Sequence, residues 1–126
     1  MSEIKNLSEI QGRLKDMFKA HIPPLKVDKD NKDVFEVTGK IATMQGKKKV
    51  NGYYFGSIVP KPLDIRLYYF PIYTHAKKFD WISNDLRKCL KGKSCFHFKK
   101  LNPELENEIE KMIKVGRELY EFEKLI

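Results

Sequence analysis

Two aromatic runs, GYYFGSIVP (Gly52 to Pro60) and IRLYYFPIYTH (Ile65 to His75), constrain this chain more than any other stretch. Both are rich in aromatic and β-branched residues, the types that suit a pleated, half-buried surface. Between them stand Pro60, Lys61 and Pro62. Prolines fit a turn and do not fit a central strand. The pair therefore predicts two strands joined by a turn, and a third strand, SCFHFKK (Ser94 to Lys100), belongs with them. Alternation sets Tyr53, Phe55, Ser57 and Val59 on one face of the first strand, with Tyr54, Gly56 and Ile58 on the other. In the second, Ile65, Leu67 and Tyr69 oppose Arg66, Tyr68 and Phe70. In the third, Cys95 and His97 oppose Phe96 and Phe98.

Helical patterns flank this middle. From Ser2 to His21, Ile4, Leu7, Leu14, Met17 and Phe18 recur at three- and four-residue spacing, which predicts an amphipathic helix stopped by Pro23 and Pro24. Asn102 caps a last helix with Pro103 at its first position and Glu104 and Glu106 near the positive end of its dipole. Leu105, Ile109, Met112, Ile113, Leu119 and Tyr120 form its apolar stripe. Ser83 caps a helical turn through Leu90 that carries Leu86 and Cys89 inward, and Gly92 follows at the position a helix end favours. Lys26 to Lys40 is polar with one short strand, Val34 to Val37. Ile41 to Val50 reads as a loop or a poorly patterned strand. These elements predict one α+β domain over residues 1–126, an antiparallel sheet packed in two layers against N- and C-terminal helices.

The formal charge of +8 is unevenly placed. Between Lys40 and Lys100 the chain holds 14 basic and 3 acidic residues, whereas the flanking segments hold 11 and 14. A local excess of this kind either attracts an acidic partner or keeps a solvated face soluble. No apolar run approaches the roughly 18 residues of a membrane span, and the charged N-terminus does not read as a signal peptide. Two cysteines, Cys89 and Cys95, do not make a disulfide framework. The expected setting is the cytoplasm, without membrane association.

Motifs that carry chemistry are sparse. Asp28, Asp30, Asn31 and Asp33 lack the glycine and the terminal glutamate of an EF-hand, so a polar turn is expected. Gly46 with Lys47 to Lys49 lacks the phosphate-loop pattern. Cys95 and His97, with Cys89 and His75 as companions, could begin a metal site, but a structural site needs four converging ligands. No nucleophile, base and oxyanion donor fall into a recognised pattern. The expectation is a protein without catalytic residues, bound metal or cofactor.

The runs YYFGSIVP, YYFPIYTH and LKGKSCFHFKKL, followed by the capped last helix, resemble the YdhG-like family of small uncharacterised bacterial domains from about Val50 to Tyr120. The resemblance implies a compact α+β domain and no established activity. By fold that family groups with YjbR-like proteins and with the frataxin homologue CyaY, which binds iron through a carboxylate ridge. Glu3, Glu9 and Asp16 are spread out and mixed with lysines, so iron binding is not carried over.

If Phe96 and Phe98 face the helices, then Cys95, His97, Arg66 and Tyr68 face away, and both sheet faces are partly apolar. A solvated antiparallel sheet normally avoids that. Either a loop or the N-terminal segment covers this outer face, or it meets a ligand, a partner or a second copy. The expected function is a small-ligand- or protein-binding module, monomer or homodimer, that uses Arg66, Tyr68, His97, Cys95 and Tyr53. The rival is nucleic-acid binding through interleaved lysines and rings, which requires the lysines to flank the exposed tyrosines. Metal binding ranks third.

Overall fold

In the computed structural model, which describes residues 3–126, the two aromatic runs pair as an antiparallel hairpin. Numbered along the chain, the strands are β1 (Lys26–Asp30), β2 (Phe35–Thr38), β3 (Thr43–Gln45), β4 (Lys48–Val50), β5 (Tyr54–Pro60), β6 (Ile65–Tyr69) and β7 (Cys95–Phe98). The helices are α1 (Leu7–Lys19), α2 (Pro71–Thr74), α3 (Asn84–Cys89) and α4 (Pro103–Phe122), with a 3-10 turn at Ala76–Phe79. Five strands form one antiparallel sheet in the order β1-β2-β5-β6-β7, and β3 and β4 form a separate hairpin. The α+β architecture with helices near both chain ends is as expected.

The sheet's inner face buries Phe35, Val37, Ile58, Ile65, Leu67, Tyr69, Phe96 and Phe98. Ile10, Leu14, Met17 and Phe18 of α1, with Leu105, Ile109, Met112, Ile113 and Tyr120 of α4, close over it. Burial of each large apolar side chain contributes about 1.5–3 kcal/mol, so this layer is where the fold's stability resides. The Asn102 side chain accepts from the Leu105 amide at 2.8 Å, and Ser83 accepts from Leu86 at 3.1 Å, so both expected caps form.

Four boundaries differ from the sequence reading. The first helix begins at its Asn6 cap, whose Oδ1 accepts from the Glu9 amide at 2.9 Å; Ile4 instead bridges Leu101. The expected start at Ser2 lies outside the described residues. The strand expected over Ile65 to Phe70 ends at Tyr69, because Pro71 has the fixed φ of a first helical turn and opens α2. Lys26–Asp30 is a fifth strand that no apolar alternation announced: four of its five residues are exposed, and it is a charged edge held by its backbone ladder. The stretch left between loop and strand is the β3–β4 hairpin, turned at Gly46 with φ +63°, the left-handed region that favours glycine. Asn31 Oδ1 accepts from the amides of Asp33 and Val34, so the acidic cluster is a polar turn.

A further departure matters for function. The β2–β5 ladder pairs Val37 with Gly56 but Thr38 with Tyr54, so Phe55 is an extra residue, a β-bulge. Strand side chains alternate with a period of two, and one inserted residue exchanges the faces beyond it. Phe55 stays in the core against Phe18 and Tyr120, and Tyr54 is turned to the outer face.

Candidate functional site

The helices close over the inner face of the sheet, and on its other face the outward residues of β6 and β7 keep partial exposure. The register sets Arg66 opposite His97 and Tyr68 opposite Cys95, while Ser57 opposes Tyr68 on the other side. Four of the five residues expected at the site, Arg66, Tyr68, Cys95 and His97, therefore form one contiguous patch. All four are partly exposed.

Asp64, which the sequence reading passed over, organises the cationic part. It sits in the turn before β6 with only 6% of its surface exposed. Its carboxylate accepts from Arg66 Nε at 3.2 Å and stands 3.5 Å from His97 Nδ1. A carboxylate this buried needs charged or hydrogen-bonding partners, and the two partners are thereby oriented. The Asp64 hydrogen bond raises the Arg66 pKa further. One of five guanidinium donors is spent on Asp64 Oδ1, which leaves the planar fork for Tyr68 or a ligand.

Tyr54 and Ser57 continue the patch toward β2. Their hydroxyls are 2.7 Å apart, and Ser57 Oγ donates to Glu36 at 3.4 Å. Burial pushes the Tyr54 phenol up to about 12, so it holds its proton at any physiological pH. Burial also raises Glu36, and the neighbouring Asp28 carboxylate raises it further. Depressions of about 340 and 390 Å³ flank the patch. The first lies beside Arg66, Asp64 and Leu63, which is 77% exposed. The second lies between Tyr54 and the β3–β4 hairpin, where Gln45 Oε1 accepts from the Tyr54 amide at 3.2 Å.

Tyr53 is the correction. It was expected on the same face as Ser57, but the bulge breaks that alternation. Its ring lies 5.7 Å from Tyr120 of α4 and 5.8 Å from Phe70, against the core. The companions suggested for a Cys95–His97 metal pair are also elsewhere. His75 lies between Thr74 Oγ1 at 2.7 Å and Glu123 Oε2 at 2.8 Å, and the Cys89 thiol donates to the Asp85 carbonyl at 3.5 Å. Among the described residues no three His, Cys, Asp or Glu side chains are grouped to hold a metal ion.

Burial raises the thiol pKa of both Cys95 and Cys89, the Tyr68 hydroxyl and Arg66 only partly offsetting the effect at Cys95. A nucleophilic cysteine needs the opposite shift. The basic residues of the middle segment do not share one groove with the tyrosines. Lys48 and Lys49 border Tyr54, Lys61 and Lys99 border Arg66, and Lys93 stands 5.4 Å over the ring of Tyr73. Among the described residues no helix is long and apolar enough to cross a membrane.

Fold and site together define an α+β domain whose open antiparallel sheet carries a cationic and aromatic patch. Comparison with protein-family models, with curated proteins and with solved structures gave no match to this chain.

Proposed function

We propose that this chain is a YdhG-like binding module of the cytoplasm, which holds an anionic ligand bearing a flat ring on the outer face of its sheet. One observation carries the reading: Asp64 aims Arg66 and His97 beside the half-buried rings of Tyr68 and Tyr54, and all four of these side chains keep partial exposure. The guanidinium fork suits a carboxylate, and the tyrosine rings offer a stacking surface to the rest of the ligand. Binding rather than turnover is supported by the raised Cys95 and Tyr54 pKa values, which keep both groups protonated and unreactive near neutrality. The lysines that do gather, Lys88, Lys91, Lys99 and Lys100, line a cleft without a tyrosine, phenylalanine or tryptophan ring, which weighs against a single-strand nucleic-acid platform.

Indole-3-carboxylate and benzoate are suitable probes, titrated while backbone amide resonances are followed. Shifts are expected at Arg66 to Tyr68 and at Cys95 to His97. Replacing both Arg66 and His97 by glutamine, which keeps hydrogen-bond donors for the buried Asp64 carboxylate, should preserve the fold and weaken binding at least about tenfold. Shifts confined to another surface, or a double variant that binds as the parent does, would refute the reading. An unfolded double variant would make these side chains structural instead.

A further inference from the structure

At the β7 edge of the sheet a cleft of about 610 Å³ opens between α3, the segment after β7 and the start of α4. Four lysines line it: Lys88, Lys91, Lys99 and Lys100. The backbone fixes their convergence. Lys88 lies in the last turn of α3, and the chain turns at Gly92, whose φ of +125° only glycine adopts without strain. The Lys91 amide donates to the Cys95 carbonyl at 2.8 Å, and Leu90 bridges Phe96, so the end of α3 is pinned to β7. Phe98 and Leu101 are buried, and Lys99 and Lys100 project between these two anchors. Cys89 and Leu105 add apolar surface to the wall.

The charge in this cleft is largely uncompensated. Lys100 pairs with Glu3 at 3.3 Å, but among the described residues Lys88, Lys91 and Lys99 make no ion pair. Asp64 also borders the cleft, yet its carboxylate is engaged by Arg66 and His97. Asp85 is the remaining acid, and Asn102 offers an amide whose oxygen is spent on the Leu105 cap. Like charges around a concavity repel one another and focus a positive field into it, and an anion relieves both effects. The volume falls in the range of small-molecule sites.

Asp85 also decides the size of the anion. A continuous phosphate backbone crossing the cleft would meet its like charge. A compact ligand can set phosphate on the lysines and present hydroxyl donors to the carboxylate. We infer that this cleft binds a small phosphorylated molecule that also carries hydroxyl groups, with Lys88, Lys91 and Lys99 on the phosphate and Asp85 on the hydroxyls. Asp64 and His97 border both this cleft and the Tyr68 patch, but neither is assigned a ligand contact here, and the inference does not rest on that reading.

Calorimetric titration with ADP tests the assignment, with inorganic pyrophosphate and a short oligothymidylate as comparators. ADP should bind at about 50 mM salt, where screening of surface charges is modest. The double variant Lys88→Glu/Lys91→Glu should weaken it at least about tenfold. Lys48→Glu/Lys49→Glu, which changes net charge equally on the β3–β4 hairpin, should leave ADP affinity within about twofold. Asp85→Asn should weaken ADP and leave pyrophosphate unchanged or tighter. The lysines are exposed, and Lys88→Gln/Lys91→Gln, followed by circular dichroism, separates any folding defect from lost binding. Tyr68→Ala, at a residue outside the cleft lining, should not alter ADP binding, so failure at this cleft and failure at the Tyr68 patch are told apart. No ADP binding at millimolar concentration overturns the inference, as does equal loss in both charge-reversed pairs. Oligothymidylate binding far tighter than ADP, and not displaced by pyrophosphate, would assign the cleft to a nucleic acid and also overturn it.

Discussion

Gly116 lies inside α4, where replacing glycine by alanine ordinarily stabilises a helix by about 1 kcal/mol. In this fold the same change should destabilise. A Cβ at Gly116 would overlap the Tyr69 hydroxyl and come within 2.9 Å of Tyr69 Cζ and 3.2 Å of Phe55 Cε1. Tyr69 cannot easily retreat. It is fully buried, its ring packs 5.4 Å from Phe55 and 5.7 Å from Phe79, and its hydroxyl donates to the Met112 carbonyl at 2.5 Å. Overpacking costs about 1–3 kcal/mol, and breaking the buried hydrogen bond about 1–3 kcal/mol more. Set against the gain in helix propensity, Gly116→Ala should cost about 1–5 kcal/mol, centred near 3. For a domain of this size that lowers Tm by about 10–15 °C. Urea unfolding followed by Trp81 fluorescence and by circular dichroism measures it. Tyr69→Phe removes the overlapping oxygen, so Gly116→Ala should cost markedly less in that background. A midpoint unchanged or raised in Gly116→Ala alone would refute the argument that α4 lies this close to the rings beneath the bulge.

Three further outcomes follow from the same contacts. Because burial and Asp28 hold the folded Glu36 pKa above its ordinary 4.5, the folded state binds the extra proton, and stability falls as pH rises from there through the folded value. Glu36→Gln should therefore gain on the parent across that window and run parallel to it above, as urea midpoints between about pH 4 and pH 8 would show; parallel curves throughout would sink the idea. At the alkaline end, Tyr54 keeps its proton up to about 12 when folded, so stability should fall from about pH 10 upward, and less so in Tyr54→Phe. Ser83 accepts from Leu86 at 3.1 Å and donates to Glu108 at 2.7 Å, joining α3 to α4. Ser83→Ala should cost about 1–3 kcal/mol, and a Ser83/Glu108 double-mutant cycle should show non-additivity of at least about 0.5 kcal/mol.

Local rules made much of this molecule legible before any coordinates. The stripes of α1 and α4, the caps at Ser83 and Asn102, and the alternation of Ile65–Tyr69 and Cys95–Phe98 are set by side-chain period and by short-range hydrogen bonding. Those periods alone put Arg66, Tyr68, Cys95 and His97 on a common face, because β6 and β7 pair without a slip. Tertiary structure decided what local rules do not encode. The bulge at Phe55 exchanged Tyr53 for Tyr54 on the outer face, since packing Phe55 against Phe18 and Tyr120 outweighed regular pairing. The charged edge strand Lys26–Asp30 carries no apolar signal and exists through its ladder to β2. Asp64 became the centre of the site only when β6 and β7 came together, because its partners are two and 33 residues away. The gathering of Lys88, Lys91, Lys99 and Lys100 around one cleft depends likewise on α3 folding back onto β7. Composition registers such charges as an excess, and only packing turns the excess into a place.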